Sequence, residues 1–269
     1  MPFKTSEIEA LQPAHWLHQT QCSLDALKAH TARRTARDQV PFAAGVQHQI
    51  PLYDGAGLHG VISTPAKARA LMAEWGAVLM QGAGIIVIQN AFDDLAVVDA
   101  ASAHFSALIA QQQSSGSGGG DHFAKPGAND RIWNALQKHC LRDPANFARY
   151  YGNPLLALAC QAWLGPAYQV TAQVNVVNPG GAAQQPHRDY HLGFMTPAQA
   201  QAYPAHVHRL SPVLTLQGAI AHCDMPLESG PTLYLPFSQT YDLGYLLSDL
   251  PAFQDHFEHH HVQLPLSKG

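Results

Sequence analysis

Apolar positions follow two regimes along the chain: helical spacing up to about residue 165, then short extended runs. Val98, Ala101, Phe105, Leu108 and Ile109 recur at three- and four-residue intervals, which predicts an amphipathic helix over 93–111. Thr64-Pro65 offers a capping hydroxyl and a first-turn proline to a helix that runs to about Trp75 and stops near Gly76. Asp143-Pro144 opens another in the same way, ending near Gly165. Ile85 to Ile88, after Gly82 and Gly84, is a short β-branched run and predicts a buried strand. Downstream, Tyr168 to Asn178 alternates, and 215–223, 232–235 and 262–266 read as strands between Pro/Gly turns. Helices first and strands afterwards predict an α+β protein with a β-sandwich or barrel core. Residues 1–60 are expected to be an N-terminal extension packed on one large domain over 61–269, in which QQQSSGSGGG (Gln111–Gly120) is a surface loop, flexible by composition.

Composition narrows the function classes. The 269 residues are 46% apolar and 13% charged, which fits a globular chain. A formal charge of −4 gives no reason to expect nucleic acid or an anionic membrane as partner. No apolar run approaches the roughly 18–20 residues that cross a bilayer, and the N-terminus lacks a secretory h-region, so a cytoplasmic address is expected. Cys22, Cys140, Cys160 and Cys223 show no C-x-x-C spacing and read as reduced thiols. Histidine is abundant, at 17 residues, so abundance alone does not locate a metal.

The segment NPGGAAQQPHRDYHLGF (Asn178–Phe194) carries the chemistry. A glycine-rich turn leads to His187-Arg188-Asp189 at what should be the start of a strand. Side chains two apart on extended backbone share a face, so His187 and Asp189 can present an imidazole and a carboxylate to one metal while Arg188 points away. With a distant second histidine they would form the facial triad of non-haem Fe(II) oxygenases, which leaves room for a bidentate 2-oxo acid and O2.

In this context the chain resembles the phytanoyl-CoA dioxygenase family. The turn after an alternating strand (VNVVNPGGAAQQPHRDYH), the later pieces AIAHCD, ESGPT and LPFSQ in that order, and the upstream GAGIIVIQNAFDD all resemble the family's segments. The resemblance covers about 80–269 and is strongest over 170–240. It implies a double-stranded β-helix (a cupin-like jelly roll) with N-terminal helices packed on it. It also implies oxidative decarboxylation of 2-oxoglutarate coupled to hydroxylation of a small organic substrate. His187 and Asp189 match the first two iron ligands. Gln173 and Asn175, on one face of the preceding strand, and Lys125 are the candidate contacts to 2-oxoglutarate, and ascorbate is a further candidate cofactor.

The family's second histidine and its carboxylate-gripping arginine follow a Lys-Gly-Asp-like turn, which matches Lys268-Gly269 here. Both groups, and the C-terminal strands that carry them, are therefore expected to be missing from this chain, leaving an incomplete jelly roll. His256 and His259 to His261 read as a solvated helix end or turn, and His206 and His208 lie in an insert without strand flanks. His191 and His222 are candidate pocket residues. The rival readings are a non-catalytic jelly-roll binding protein or inactive fragment, and a zinc hydrolase that uses His187, Asp189 and a histidine of the 256–261 cluster. Substrate identity and oligomeric state are not encoded in any motif.

Overall fold

The computed structural model describes residues 5–115, 129–181 and 184–269. Lys125 and most of the Gly/Ser-rich run lie outside the described residues. The N-terminal part forms helix α1 (Thr5–His15), helix α2 (Leu24–Thr31) and strands β1 (Gly45–Gln47) and β2 (Ile50–Asp54), followed by α3 (Gly55–Ile62) and α4 (Pro65–Met80). Strand β3 (Val87–Gln89) then pairs parallel with β2, Leu52 opposite Val87, while β1 pairs antiparallel on the other side. A parallel pair needs a crossover connection, and α3 and α4 supply it.

Helix α4 runs through Gly76 to Met80 instead of stopping there. A mid-helix glycine costs about 1 kcal/mol against alanine. Here Trp75 and Val78 on either side are buried with Tyr53, Leu58, Leu71 and Leu155, and that packing outweighs the cost. The stop comes later, where the Gly82 and Gly84 amides reach back to Ala77 and Val78 and Gly84 adopts φ 78°.

Helix α5 (Ala96–Ser114) buries Val97, Val98, Ala101 and Phe105, the face its spacing predicts. Strand β4 (Asn129–Ile132) leads to helices α6 (Ala135–Arg142), α7 (Pro144–Tyr151) and α8 (Pro154–Leu164). The single helix expected over 144–165 is thus two. The break is local chemistry: the Asn153 side chain accepts from the Leu155 and Leu156 amides, Pro154 opens the new helix, and Asn153 also donates to Ala91 O at 2.6 Å.

Strand β5 (Val174–Val177) pairs antiparallel with β4, Arg131 opposite Asn175. Short helices α9 (Pro197–Ala200) and α10 (Ala205–Leu210) and the final helix α11 (Pro251–His260) complete the order. The outcome is a mixed α+β fold with a three-stranded and a two-stranded sheet among the described residues. Where strands were expected over 215–223, 232–235 and 262–266 there are only isolated bridges, Tyr234 with Val262 and Met225 with Leu266. Pro226, Pro231, Pro236 and Pro265 remove the amide donors that longer ladders would need.

The N-terminal residues are interleaved with the rest. Gln19 donates to Leu246 O at 2.9 Å, and the Ser23 amide donates to the Tyr241 hydroxyl at 2.8 Å. A second polar anchor is Glu74, 8% exposed, whose carboxylate accepts from the Tyr53 hydroxyl (2.9 Å) and the Phe42 amide (3.1 Å).

Between α5 and α7 the ring of His222 is clamped. Ser102 donates its hydroxyl to Val98 O, so Ser102 Oγ accepts from His222 Nδ1, and Tyr150 donates to Nε2, both at 2.8 Å. This arrangement needs a neutral ring, and burial lowers the pKa of His222 as it does for His139, His208 and His256. In each case the unfolded chain takes up the proton first, near the ordinary value of about 6.5. Stability is therefore expected to fall as pH drops below about 6.5, the exposed His259 beside Asp255 opposing weakly. Urea midpoints at pH 7.5 and pH 5.5 check this, and equal midpoints would contradict it.

Candidate metal centre

Residues 184–189 have no ladder partner, Pro186 lies in a bend, and Tyr190 forms an isolated bridge with Gly193. His187 and Asp189 turn toward each other. His187 Nε2 lies 3.5 Å from Asp189 Oδ1, with side chains 23% and 26% exposed. His187 Nδ1 donates to Gln185 O at 2.7 Å, which leaves Nε2 facing the carboxylate. Gln217 donates to the other oxygen, Asp189 Oδ2, and Phe194 presses edge-on against the imidazole at 5.6 Å.

Arg188 takes the opposite side. Its guanidinium donates to Ser238 O (2.7 Å) and Tyr241 O (3.3 Å) and lies over the Tyr245 ring. Burial lowers its pKa, with Tyr245 and Asp242 opposing the shift. Tyr245 in turn donates to Ser211 Oγ, which also accepts from the His191 amide. This side pins the backbone of the 187–189 segment between the two. A Cβ at Gly244 would stand 2.1 Å from Arg188 Cζ. Gly244→Ala is therefore expected to displace the guanidinium and cost about 1–3 kcal/mol, read from urea denaturation. An unchanged midpoint would mean that Arg188 is not held where the structure has it.

A histidine nitrogen and a carboxylate oxygen 3.5 Å apart can both lie within about 2.1 Å of one divalent ion. The pair therefore fits a metal as two of its ligands. Among the described residues no third His, Cys, Asp or Glu joins it. His222 is locked in the α5–α7 core, His208 Nε2 lies 3.2 Å from Tyr203 O, and His256 and His260 stand on the last turn of α11.

Gln173 and Asn175 project from the exposed side of β5, while Ala172 and Val174 face the core. A cavity of about 220 Å³ opens beside His187 and Arg188, with Ile85, Leu235 and Phe253 in its wall. The segment Pro197 to Pro204 buries Pro197 and Ala200, and Ala200 packs with Tyr190 and Tyr245. Gln217 and Tyr245 were not anticipated. Neither carries a motif, and both reach the segment from far along the chain.

The fold is a mixed α+β architecture, and the His187–Asp189 pair lies a few residues after a glycine turn. The chain belongs to the phytanoyl-CoA dioxygenase (PhyH) family, whose sequence model matches residues 80–269. No curated protein and no solved structure matches it. Membership indicates an enzyme family of dioxygenase type acting on small molecules, with Fe(II) and 2-oxoglutarate as the family-level expectation. Among the described residues no helix is long and apolar enough to cross a membrane.

Proposed function

We propose that the chain is an Fe(II)- and 2-oxoglutarate-dependent dioxygenase built on a double-stranded β-helix, and that His187 and Asp189 are two of its iron ligands. The observation that carries this reading is the pair itself: Nδ1 of His187 is anchored on Gln185 O and Nε2 faces Asp189 Oδ1 at 3.5 Å. Fe(II) bound there would supply the site that activates O2 against a 2-oxo acid. This chain's own residues hold the ligands in place: Gln217 orients the carboxylate, Phe194 and Gln185 orient the imidazole, and Arg188 fixes the backbone from behind. Supporting partners of this kind are typically worth 10–100-fold in metal affinity.

Gln173, Asn175 and Lys125 are proposed as donors to 2-oxoglutarate, and the substrate as a small organic molecule.

Anaerobic addition of Fe(II) and then millimolar 2-oxoglutarate tests the proposal. A visible charge-transfer band is expected that Asp189→Ala removes with circular dichroism unchanged. No band in the unmodified chain, or a band that survives the substitution, would sink the oxygenase reading.

A further inference from the structure

A second cavity, of about 500 Å³, lies between α2, the β1–β2 turn and the end of α11. Its wall carries Lys28, Arg34, His48, Gln49, His256 and His260, and no aspartate or glutamate. In a chain whose formal charge is −4, such a concentration of cationic and protonatable groups is a local reversal of sign. Neither Lys28 nor Arg34 has an ion-pair partner among the described residues. Asp255, the nearest acidic neighbour on α11, is turned to His259 at 3.5 Å.

Two further observations describe how the polar groups of this wall are held. His256 is 6% exposed, and its Nε2 is buried with no hydrogen-bond partner. His260 stacks on it at 4.2 Å and commits Nδ1 to His256 O, leaving its own Nε2 available.

The second observation is the turn. His48 and Gln49 have φ of 50° and 71°, both left-handed, where a two-residue hairpin ordinarily has Asn-Gly. Non-glycine residues in such a conformation persist only when the surroundings over-determine them, and they cluster at ligand clamps. Thr35 supplies that support. Its amide donates to Gln49 Oε1 at 2.9 Å and its hydroxyl donates to Gln49 O. With Oε1 taken, the two Nε2 hydrogens of Gln49 remain as donors for the cavity.

We infer that this cavity binds a phosphate-bearing small molecule, independently of the metal centre. Two permanent cations, the imidazoles of His48 and His260 and the amide of Gln49 line the space with no acceptor charge, which suits an anion with several oxygens. The volume lies within the range of small-molecule pockets and exceeds what orthophosphate needs.

Calorimetric titration of the 269-residue chain with inorganic pyrophosphate, orthophosphate and ADP tests the assignment. One-to-one binding of pyrophosphate or ADP is expected. The double variant Lys28→Ala/Arg34→Ala should weaken it at least tenfold. Gln49→Glu, which places a carboxylate in the wall without emptying it, should do the same. Tighter binding of ADP than of pyrophosphate would assign the phosphate to a nucleotide-like carrier, and equal binding to the phosphate group alone. No heat with any of the three probes, or affinities that neither substitution changes in the folded chain, would overturn the assignment.

Discussion

His187→Ala is expected to weaken binding of a divalent ion by about 100-fold or more. Deleting a supporting partner alone costs 10–100-fold in metal affinity, and this substitution deletes a ligand. Titration with Co(II) or Mn(II), followed by absorption or electron paramagnetic resonance, measures it. The fold should survive, because His187 is not part of the buried core. Gln217→Leu supplies an internal comparison. It leaves both donors in place but frees Asp189 Oδ2, and a loss of roughly tenfold is expected. If both variants bind metal as the parent does, any ion lies elsewhere and the imidazole–carboxylate pair is an ordinary surface contact.

Glu74→Ala should be among the most destabilising single changes in the N-terminal half. It strands two buried donors, the Tyr53 hydroxyl and the Phe42 amide, at about 1–3 kcal/mol each. A total of roughly 2–5 kcal/mol follows, a large share of a typical domain's stability. The effect should reach beyond one side chain. Tyr53 packs edge-on against Trp75, and the 40–54 segment closes the core around α4. Glu74→Gln keeps one acceptor oxygen and should lose distinctly less. Urea denaturation of the three proteins gives the ordering, and a Glu74→Ala loss below about 1 kcal/mol would show that water already satisfies those donors.

What was legible in the sequence depended on how local its cause is. The buried face of α5 and the helix starts at Pro65 and Pro144 follow from spacing and first-turn prolines and appear where the pattern puts them, with Asp143 capping the Asn146 amide while the Thr64 hydroxyl makes no cap bond. The approach of His187 and Asp189 was legible for the same reason, since the two lie two residues apart. Its companions were not. Gln217 lies 28 residues from Asp189, and Gly244 matters only because the Arg188 guanidinium passes over it. The run through Gly76 and the break at Asn153 were missed in opposite directions. In one a tertiary contact overrode a weak breaker, and in the other a side-chain cap that also reaches Ala91 imposed one. The β-rich reading of 215–266 weighed side-chain type over amide supply, and the prolines decide how far ladders extend there.

The long-range bonds of the first thirty residues bear on how the chain is made. Gln19 and Ser23 find their partners 227 and 218 positions later. At ribosomal speeds of about 5–20 residues per second, α2 waits for roughly ten seconds or more before Tyr241 and Leu246 emerge. Its apolar Leu27 is then uncovered, a window in which a chaperone has something to hold and neighbouring nascent chains have something to stick to.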